Sequence, residues 1–159
     1  LHKKLTGNGF YGMINYSLSE SKVTGLEGGE RPGSFDYRHN MTIIAGYQIS
    51  NDWLVGLKFR YTTGRPYTPF DIALSTYAGR GVSDFNNFNG ARFQDYNRLD
   101  LRVDKKWNFK GLSIVSYFEL QNVFNKENVY QYFWNEYKNT EGTIYQWKFL
   151  PVGGFSIQF

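Results

Sequence analysis

Alternating apolar and polar residues run through most of this chain and constrain its fold more than any other feature. In the clearest run, Leu99, Leu101 and Val103 share one parity, and charged residues fill the positions on either side of them. Successive side chains of a β-strand point to opposite faces, so this pattern predicts strands with one apolar and one polar face. We expect an all-β, antiparallel, up-and-down meander of about six long strands. The runs cover residues 10–19, 39–50, 53–62, 98–107, 112–121 and 145–159.

The lengths of the strands and of their connections favour one kind of sheet. The strands have roughly 9–14 residues, whereas strands of soluble sheets have about 5–6, and about 9–11 tilted residues cross a bilayer. Short turns, at 50–52 and at Lys110-Gly111, alternate with long loops at 21–37 and 64–95. This arrangement is typical of transmembrane β-barrels. A two-residue turn at Lys110-Gly111 would also place Arg102 opposite Glu119.

Two positions are expected to interrupt these strands. Pro151 has no amide hydrogen to donate, so we expect a bulge or break there. Asn122 lies where the fifth run loses its alternation, and we expect a bulge near it as well.

Composition excludes several other classes of protein. Aromatic residues make up 19% of the 159 residues, which excludes a disordered chain. The absence of cysteine excludes a disulfide scaffold and a thiolate metal site. The net charge of +4 is scattered along the sequence, so we expect no nucleic-acid partner.

The alternation allows two interpretations of the apolar face. It either meets lipid, with the polar face lining a lumen, or it forms the core of a soluble or secreted β-sandwich acting as a binding or adhesion module. Aromatic residues near the strand ends favour the first, because aromatic side chains gather at membrane interfaces. These are Trp53, Trp107, Phe109 and Phe159 towards the short turns, and Tyr16, Tyr61 and Tyr96 towards the long loops.

Charged residues of the polar face form the first candidate site. We expect them to pair across neighbouring strands and to line a lumen that holds a plug or passes a polar ligand; a solvated face with weak ion pairs is the alternative. The ladder consists of Lys58, Arg60, Arg98, Asp100, Arg102, Asp104 and Glu119.

The long loop 70–94 forms the second candidate site. Its mixture of aromatic and amide side chains suits a glycan or a siderophore, and a solvated loop is the alternative. The expected ligand-facing residues are Tyr77, Arg80, Phe85, Asn86, Asn87 and Phe88.

The sequence offers little catalytic or metal-binding chemistry. Asp36 and His39 are close in sequence, but we interpret such a pair as structural. Asp71, Asp84 and Asp95 share a loop without the spacing of an EF-hand. We therefore predict no catalytic residue, no metal, no cofactor and no enzymatic activity.

Five stretches, in this order, resemble the C-terminal barrel strands of TonB-dependent outer-membrane receptors. The final stretch is also similar to the terminal β-signal of outer-membrane proteins, which implies that Phe155, Ile157 and Phe159 act as an assembly signal. The stretches are FDYRHNMTIIAGYQI (35–49), FRYTTGRPYTP (59–69), RFQDYNRLDLRVDKKWNFKG (92–111), SYFELQNVFNKENV (116–129) and GGFSIQF (153–159).

The resemblance implies a function and a set of partners. Members of the family have a 22-stranded barrel closed by a plug, lie in the cell outer membrane of Gram-negative-type bacteria, and take up scarce ligands such as siderophores, cobalamin or glycans. Implied partners are outer-membrane lipid, the remainder of the barrel and plug, the TonB complex acting through the plug, and the barrel-assembly machinery. Residues 1–159 would be the C-terminal part of the barrel, without the plug.

The number of strands leads to a further expectation. About six strands cannot close a barrel, since known single-chain barrels have at least about eight. Two open edges in lipid would cost tens of kcal/mol, at several kcal/mol for each unpaired backbone group. We therefore expect a fragment of a wall, with Leu1 and Phe159 at the same rim.

Overall fold

One antiparallel sheet dominates the computed structural model, which describes residues 1–4, 9–25 and 28–159. Its seven strands lie in the order β1-β2-β5-β6-β9-β10-β13, and three separate two-stranded hairpins are β3–β4, β7–β8 and β11–β12. The strands are β1 His2–Lys3, β2 Phe10–Leu18, β3 Lys22–Thr24, β4 Glu30–Pro32, β5 His39–Gln48, β6 Trp53–Thr62, β7 Pro66–Tyr67, β8 Ala91–Arg92, β9 Tyr96–Phe109, β10 Leu112–Gln121, β11 Val129–Asn135, β12 Thr140–Tyr145 and β13 Leu150–Gln158. The helices are α1, Ile72–Ala78, and a 3₁₀-helix, Phe85–Asn87.

The expected all-β meander is confirmed. Six long strands, β2, β5, β6, β9, β10 and β13, are neighbours in the order in which the chain visits them, and each pairs antiparallel with the next. The hairpins all lie within the long connections and leave this order unchanged. Among the described strands β1 and β13 are the two edges and do not pair with each other, so these strands form an open sheet.

The turn between β9 and β10 forms as the sequence predicts. Phe109 pairs with Leu112, which leaves Lys110 and Gly111 as a two-residue turn. Gly111 has φ +79°, a left-handed conformation that glycine adopts without a steric penalty.

The expected interruptions lie elsewhere. Pro151 pairs with Leu120 in an unbroken register, because an edge strand tolerates a residue without an amide donor. The break comes earlier, at residues 146–149, and splits the predicted run 145–159. No bulge forms at Asn122 either: β10 ends at Gln121, and Asn122 follows it with φ +53°.

The two chain ends lie at different heights of the sheet, so the expectation of a shared rim is wrong. The amino group of Leu1 donates to the carbonyl of Ile14 in the middle of β2. Phe159 follows Gln158, which pairs with Ser113 beside the short turn. The difference arises because β1 pairs with the middle of β2 rather than with its beginning.

Hydrophobic burial is concentrated at the long-loop end rather than in the sheet. The rings of Phe93 and Tyr132 stack with centroids 5.1 Å apart, and Tyr67 lies 4.6 Å from Phe93. Trp134 packs edge-on against Phe70 at 5.8 Å, and among the described residues it is the one large hydrophobic side chain classed as buried. The β7–β8 region and the β11–β12 hairpin therefore pack together through a small aromatic cluster.

Candidate functional site

The sheet register divides the six long strands into two faces of different chemistry. Directly paired residues lie on the same face, so Ile14, Ile43, Phe59 and Leu99 form one continuous row across four strands. On the opposite face most positions carry amide, hydroxyl or charged side chains, and Met13, Ile44, Leu54 and Val115 are apolar exceptions. The alternation in the sequence thus becomes an apolar face and a mostly polar face.

The apolar face is uncovered in the part of the chain that the structure describes. Ile14 is 45% exposed, Phe118 52% and Phe155 72%. The described residues contribute no second large sheet that packs against this face. Six apolar positions distinguish the two interpretations, since they are exposed in a lipid-facing wall and buried in a packed core. Four of them are exposed, Phe10, Leu57, Leu101 and Ile157. The other two, Ile43 and Ile114, are half-buried.

A lysine and two tryptophans mark the short-turn end of the apolar face. Lys105 lies directly opposite Trp53, and its Nζ is 4.8 Å from that ring and 5.2 Å from the ring of Trp107. The same ammonium lies 3.8 Å from the carboxylate of Asp52 in the turn. The ammonium of Lys105 therefore contacts both aromatic rings and the carboxylate of the turn, as expected at a boundary between apolar and polar surroundings.

Two tyrosines lie flat against glycines on the polar face. Tyr11 is directly opposite Gly46, where an added Cβ would lie 2.3 Å from the ring. Tyr117 is directly opposite Gly154, where an added Cβ would lie 2.8 Å from the ring. Only glycine leaves room for these rings, and such aromatic–glycine pairs also fix the register of neighbouring strands.

Asp100 is the most enclosed member of the charge ladder. Its carboxylate is 5% exposed, accepts a 2.5 Å hydrogen bond from Nε of Arg98, and accepts a 3.0 Å bond from the amide of Asn122. Asn122 is itself buried, and its side chain bonds the backbone of Lys126 and of Trp147. The ladder is thus tied to the loop that follows β10, a connection that the sequence pattern did not indicate.

Arg102 is the most extensively bonded cation of the ladder. It donates to both oxygens of Asp104 at 2.6–2.9 Å, lies 3.5 Å from Glu119, and stacks 4.0 Å above the ring of Tyr117. The predicted position opposite Glu119 is confirmed.

The wider expectation of cross-strand pairing is wrong for most of the ladder. Arg98 and Arg102 pair mainly along their own strand, because residues two apart on one face are close enough to bond. Lys58 and Arg60 make no ion pair with any described residue.

Asp36 is a structural brace at the long-loop end. It is 1% exposed, accepts from the amide of Ser21 at 2.9 Å, and binds the guanidinium of Arg92. Arg92 also donates to the carbonyls of Asp36 and Gly64, each at 3.0 Å. Burial alone would raise the pKa of the Asp36 carboxyl. The hydrogen bond from the Ser21 amide and the charge of Arg92 outweigh burial and lower this pKa. The ionised Asp36 carboxylate therefore holds two of the long connections together.

His39 has a partner of its own. Its Nδ1 lies 2.8 Å from the hydroxyl of Tyr16, and the two rings stack. Asp36 and His39 consequently serve separate contacts and form no dyad, in line with the structural interpretation of this pair.

The three aspartates of the long loop also have separate tasks. Asp71 caps α1 through the amide of Leu74, and Asp84 accepts from the amide of Asn86. Asp95 accepts from the Tyr61 hydroxyl at 2.6 Å and from an amide, and these bonds lower its pKa. Over the described ranges, no group of three or more His, Cys, Asp or Glu residues could hold a metal ion.

The predicted ligand-facing residues are mostly at the surface but do not share one cavity. Tyr77 and Phe85 are 92% and 72% exposed, Arg80, Asn86 and Asn87 are exposed, and Phe88 is half-buried. Tyr77 lies in α1 and Arg80 just after it, whereas Phe85–Asn87 form the 3₁₀-helix. None of the six lines the cavities of about 410 and 950 Å³ at this end of the sheet.

Those two cavities share Tyr130 and Gln146 in their walls. One, of about 410 Å³, also has Arg65 and Tyr96 in its wall; the other, of about 950 Å³, has Arg98 and Trp147. Aromatic rings, amides and guanidinium groups on one concave surface suit a ligand with both apolar and hydrogen-bonding parts. Sequence reasoning missed Tyr130 and Trp147, because it assigned 145–159 to one strand and did not foresee β11–β12. The clustering of aromatics in residues 130–149 is the signal that could have indicated them.

Comparisons with known proteins give no assignment: no family model, no curated protein and no solved structure matches this chain. No helix within the described ranges is long and apolar enough to span a membrane.

Proposed function

We propose that this chain is the C-terminal part of the barrel wall of a TonB-dependent receptor in the cell outer membrane of a Gram-negative-type bacterium. The protein would take up a scarce ligand such as a siderophore, cobalamin or a glycan. Its partners would be outer-membrane lipid, the remainder of the barrel and plug, the TonB complex acting through the plug, and the barrel-assembly machinery. The six long strands would be part of a 22-stranded barrel.

The exposed apolar face carries this proposal. A large apolar side chain gains about 1.5–3 kcal/mol when it leaves water, so rows such as Ile14, Ile43, Phe59 and Leu99 favour contact with an apolar phase. These rows run across strands of 9–14 residues, and strands of that length can cross a bilayer. On the opposite face Arg98 pairs with Asp100 and Arg102 pairs with Asp104, which suits a polar interior.

The short-turn rim supports the same proposal. Lys105 between Trp53 and Trp107 has the arrangement of a side chain at a lipid interface, where aromatic rings lie at the headgroup level and a basic group extends towards water.

The concave surface at the long-loop end would face the ligand. Tyr130, Trp147 and Arg98 line its larger cavity. Loops that carry function are positioned by a rigid scaffold; here Asp36 and Arg92 join two long connections to each other, and Asn122 joins the loop after β10 to Asp100 of the sheet. Tyr77, Arg80 and Phe85 remain candidates for the outer part of the same surface.

Lipid contact can be tested with two adjacent residues on opposite faces. In the natural polypeptide that contains this chain, reconstituted in liposomes, a fluorophore at Ile43→Cys should be quenched by spin-labelled acyl chains. The same fluorophore at Thr42→Cys, on the polar face, should not be quenched. A soluble or secreted β-sandwich would instead show no quenching at either position and would bury Ile43→Cys away from reagents.

Transport requires a separate measurement. Cells that produce the natural polypeptide should accumulate its ligand only when the TonB complex is intact. Accumulation that is unchanged after removal of TonB would contradict the transport part of the proposal and leave the membrane part standing.

A further inference from the structure

Two cations on the polar face of β6 have no anionic partner among the residues that the structure describes. Arg98 and Arg102 each contact carboxylates, and these contacts occupy Asp100, Asp104 and Glu119. Lys58 and Arg60, on the neighbouring strand, make no ion pair with any residue that the structure describes.

The register explains why Lys58 finds no partner. It lies opposite Asp100 on one side and opposite Ile44 on the other. One oxygen of Asp100 already accepts bonds from Arg98 and from the amide of Asn122, and Asp100 is 5% exposed. The carboxylate directly opposite Lys58 is therefore already paired with Arg98.

Arg60 is in a less favourable position. It lies opposite Arg98 on one side, a like charge, and opposite Thr42 on the other. Its Nε is buried and has no hydrogen-bond partner among the described residues, and its guanidinium carbon lies 5.7 Å from the centre of the Tyr96 ring. A buried donor without an acceptor is costly, most of all on a charged group.

A cavity of about 320 Å³ is lined by both cations. Its wall also contains Arg98 and Arg102 and the carboxylates of Asp100 and Glu119, so the cations of the wall outnumber its anions by two. The volume corresponds to roughly ten water molecules, which leaves room for a carboxylate group and some of its hydration.

We propose that Lys58 and Arg60 form an anion site that binds a carboxylate supplied from beyond the described residues. The guanidinium of Arg60 and the ammonium of Lys58 both donate to its oxygens, in bonds strengthened by charge. This chemistry is shared by an acidic side chain of a polypeptide segment lying against the polar face and by a free carboxylate ligand. The site follows from the unpaired cations alone and holds whether or not the protein transports a ligand.

Zero-length coupling with a carbodiimide tests the site, because it joins an amine to a carboxylate only when the two are in contact. The natural polypeptide that contains this chain is treated in detergent micelles, with and without added succinate, and Lys58 peptides are analysed by mass spectrometry. Lys148 and Glu127, which form an ion pair in the structure, serve as the internal positive control.

The two sources of carboxylate give different products. Succinylation of Lys58 that depends on added succinate identifies a free carboxylate ligand. A bond from Lys58 to an acidic residue outside the described ranges identifies a polypeptide segment. Coupling to Asp100 alone, or no coupling while Lys148 and Glu127 are joined, overturns the proposal.

Matched variants show whether the two cations act together. Arg60→Gln should lower coupling at Lys58 about tenfold, as expected for the loss of one hydrogen bond to a charged group. Lys110→Gln removes one charge from the β9–β10 turn, outside the cavity, and should leave coupling unchanged. Equal coupling in Arg60→Gln and the parent protein would also overturn the proposal.

Discussion

Arg102 and Glu119 lie directly opposite each other on β9 and β10, with 3.5 Å between Nη1 and Oε2. The two-residue turn at Lys110-Gly111 sets this register, so their proximity follows from the turn rather than from their charges. Arg102 is also bonded twice to Asp104, at shorter distances. The intrastrand contact is therefore the stronger of the two.

Neutralising Glu119 should consequently matter less than neutralising Asp104. Arg102 is 42% exposed, so solvent screens both pairs. Glu119→Gln should lower the free energy of unfolding by about 0.5 kcal/mol, and Asp104→Asn by about 1–2 kcal/mol. Guanidinium unfolding in detergent micelles measures both values, and a larger loss for Glu119→Gln would contradict this ranking.

An added methyl group at Gly46 should displace the ring of Tyr11. Gly46→Ala is expected to lower the free energy of unfolding by about 1–3 kcal/mol because the new Cβ overlaps the ring. Gly56→Ala is the matched control, since its Cβ would lie 3.6 Å from the hydroxyl oxygen of Tyr11, an ordinary contact. The cost of Gly46→Ala should shrink in a Tyr11→Ala background, and an unchanged cost would exclude this clash as its cause.

Acid should weaken the long-loop end through Asp36. Its pKa is lower in the folded protein than in the unfolded chain, so its contribution is fully present above the unfolded value and is lost as the pH falls through the folded value. The free energy of unfolding should therefore decrease as the pH falls below about 4. Asp36→Asn should be less stable at neutral pH and show a shallower acid dependence in unfolding curves collected from pH 6 downwards. A slope equal to that of the parent protein would show that other carboxylates account for the effect.

The assembly signal proposed for Phe155, Ile157 and Phe159 can be tested separately from stability. Phe159 is fully exposed, and its side chain is expected to act in recognition by the barrel-assembly machinery rather than in packing. Phe159→Ala should reduce the amount of folded protein in outer-membrane fractions several-fold, while the refolded protein unfolds at the same denaturant concentration. Gln158→Ala, on the opposite parity, is the control. Equal losses of folded protein in Phe159→Ala and Gln158→Ala would contradict the proposal that Phe159 acts with Phe155 and Ile157 as an assembly signal.

Much of the sheet was predictable because its determinants are local. A period of two fixes which residues share a face, and the Lys110-Gly111 turn fixes the pairing of β9 with β10. Pro151 was misjudged because the effect of a proline depends on which neighbour its strand has, and strand order is not a local property. Asn122 was misjudged for a related reason: its role comes from Asp100, Lys126 and Trp147, which the fold brings to it.

The candidate sites were predictable only in part. The charge ladder could be predicted because its charged residues alternate with apolar ones. Its ion pairs could not, because a long side chain can reach partners both along its own strand and on the neighbouring strands. The cavity wall at Tyr130 and Trp147 depends on the β11–β12 hairpin and on the break at 146–149, both of which arise when loops pack on one another.

By itself the sequence determined an open antiparallel sheet with one apolar and one polar face, since alternation and turn chemistry act between residues close in the chain. Tertiary structure alone decided which charges are satisfied. Lys58 and Arg60 look like ordinary members of the ladder in the sequence. They remain without an anionic partner among the described residues because the register places Ile44, Thr42, Arg98 and an already bonded Asp100 beside them.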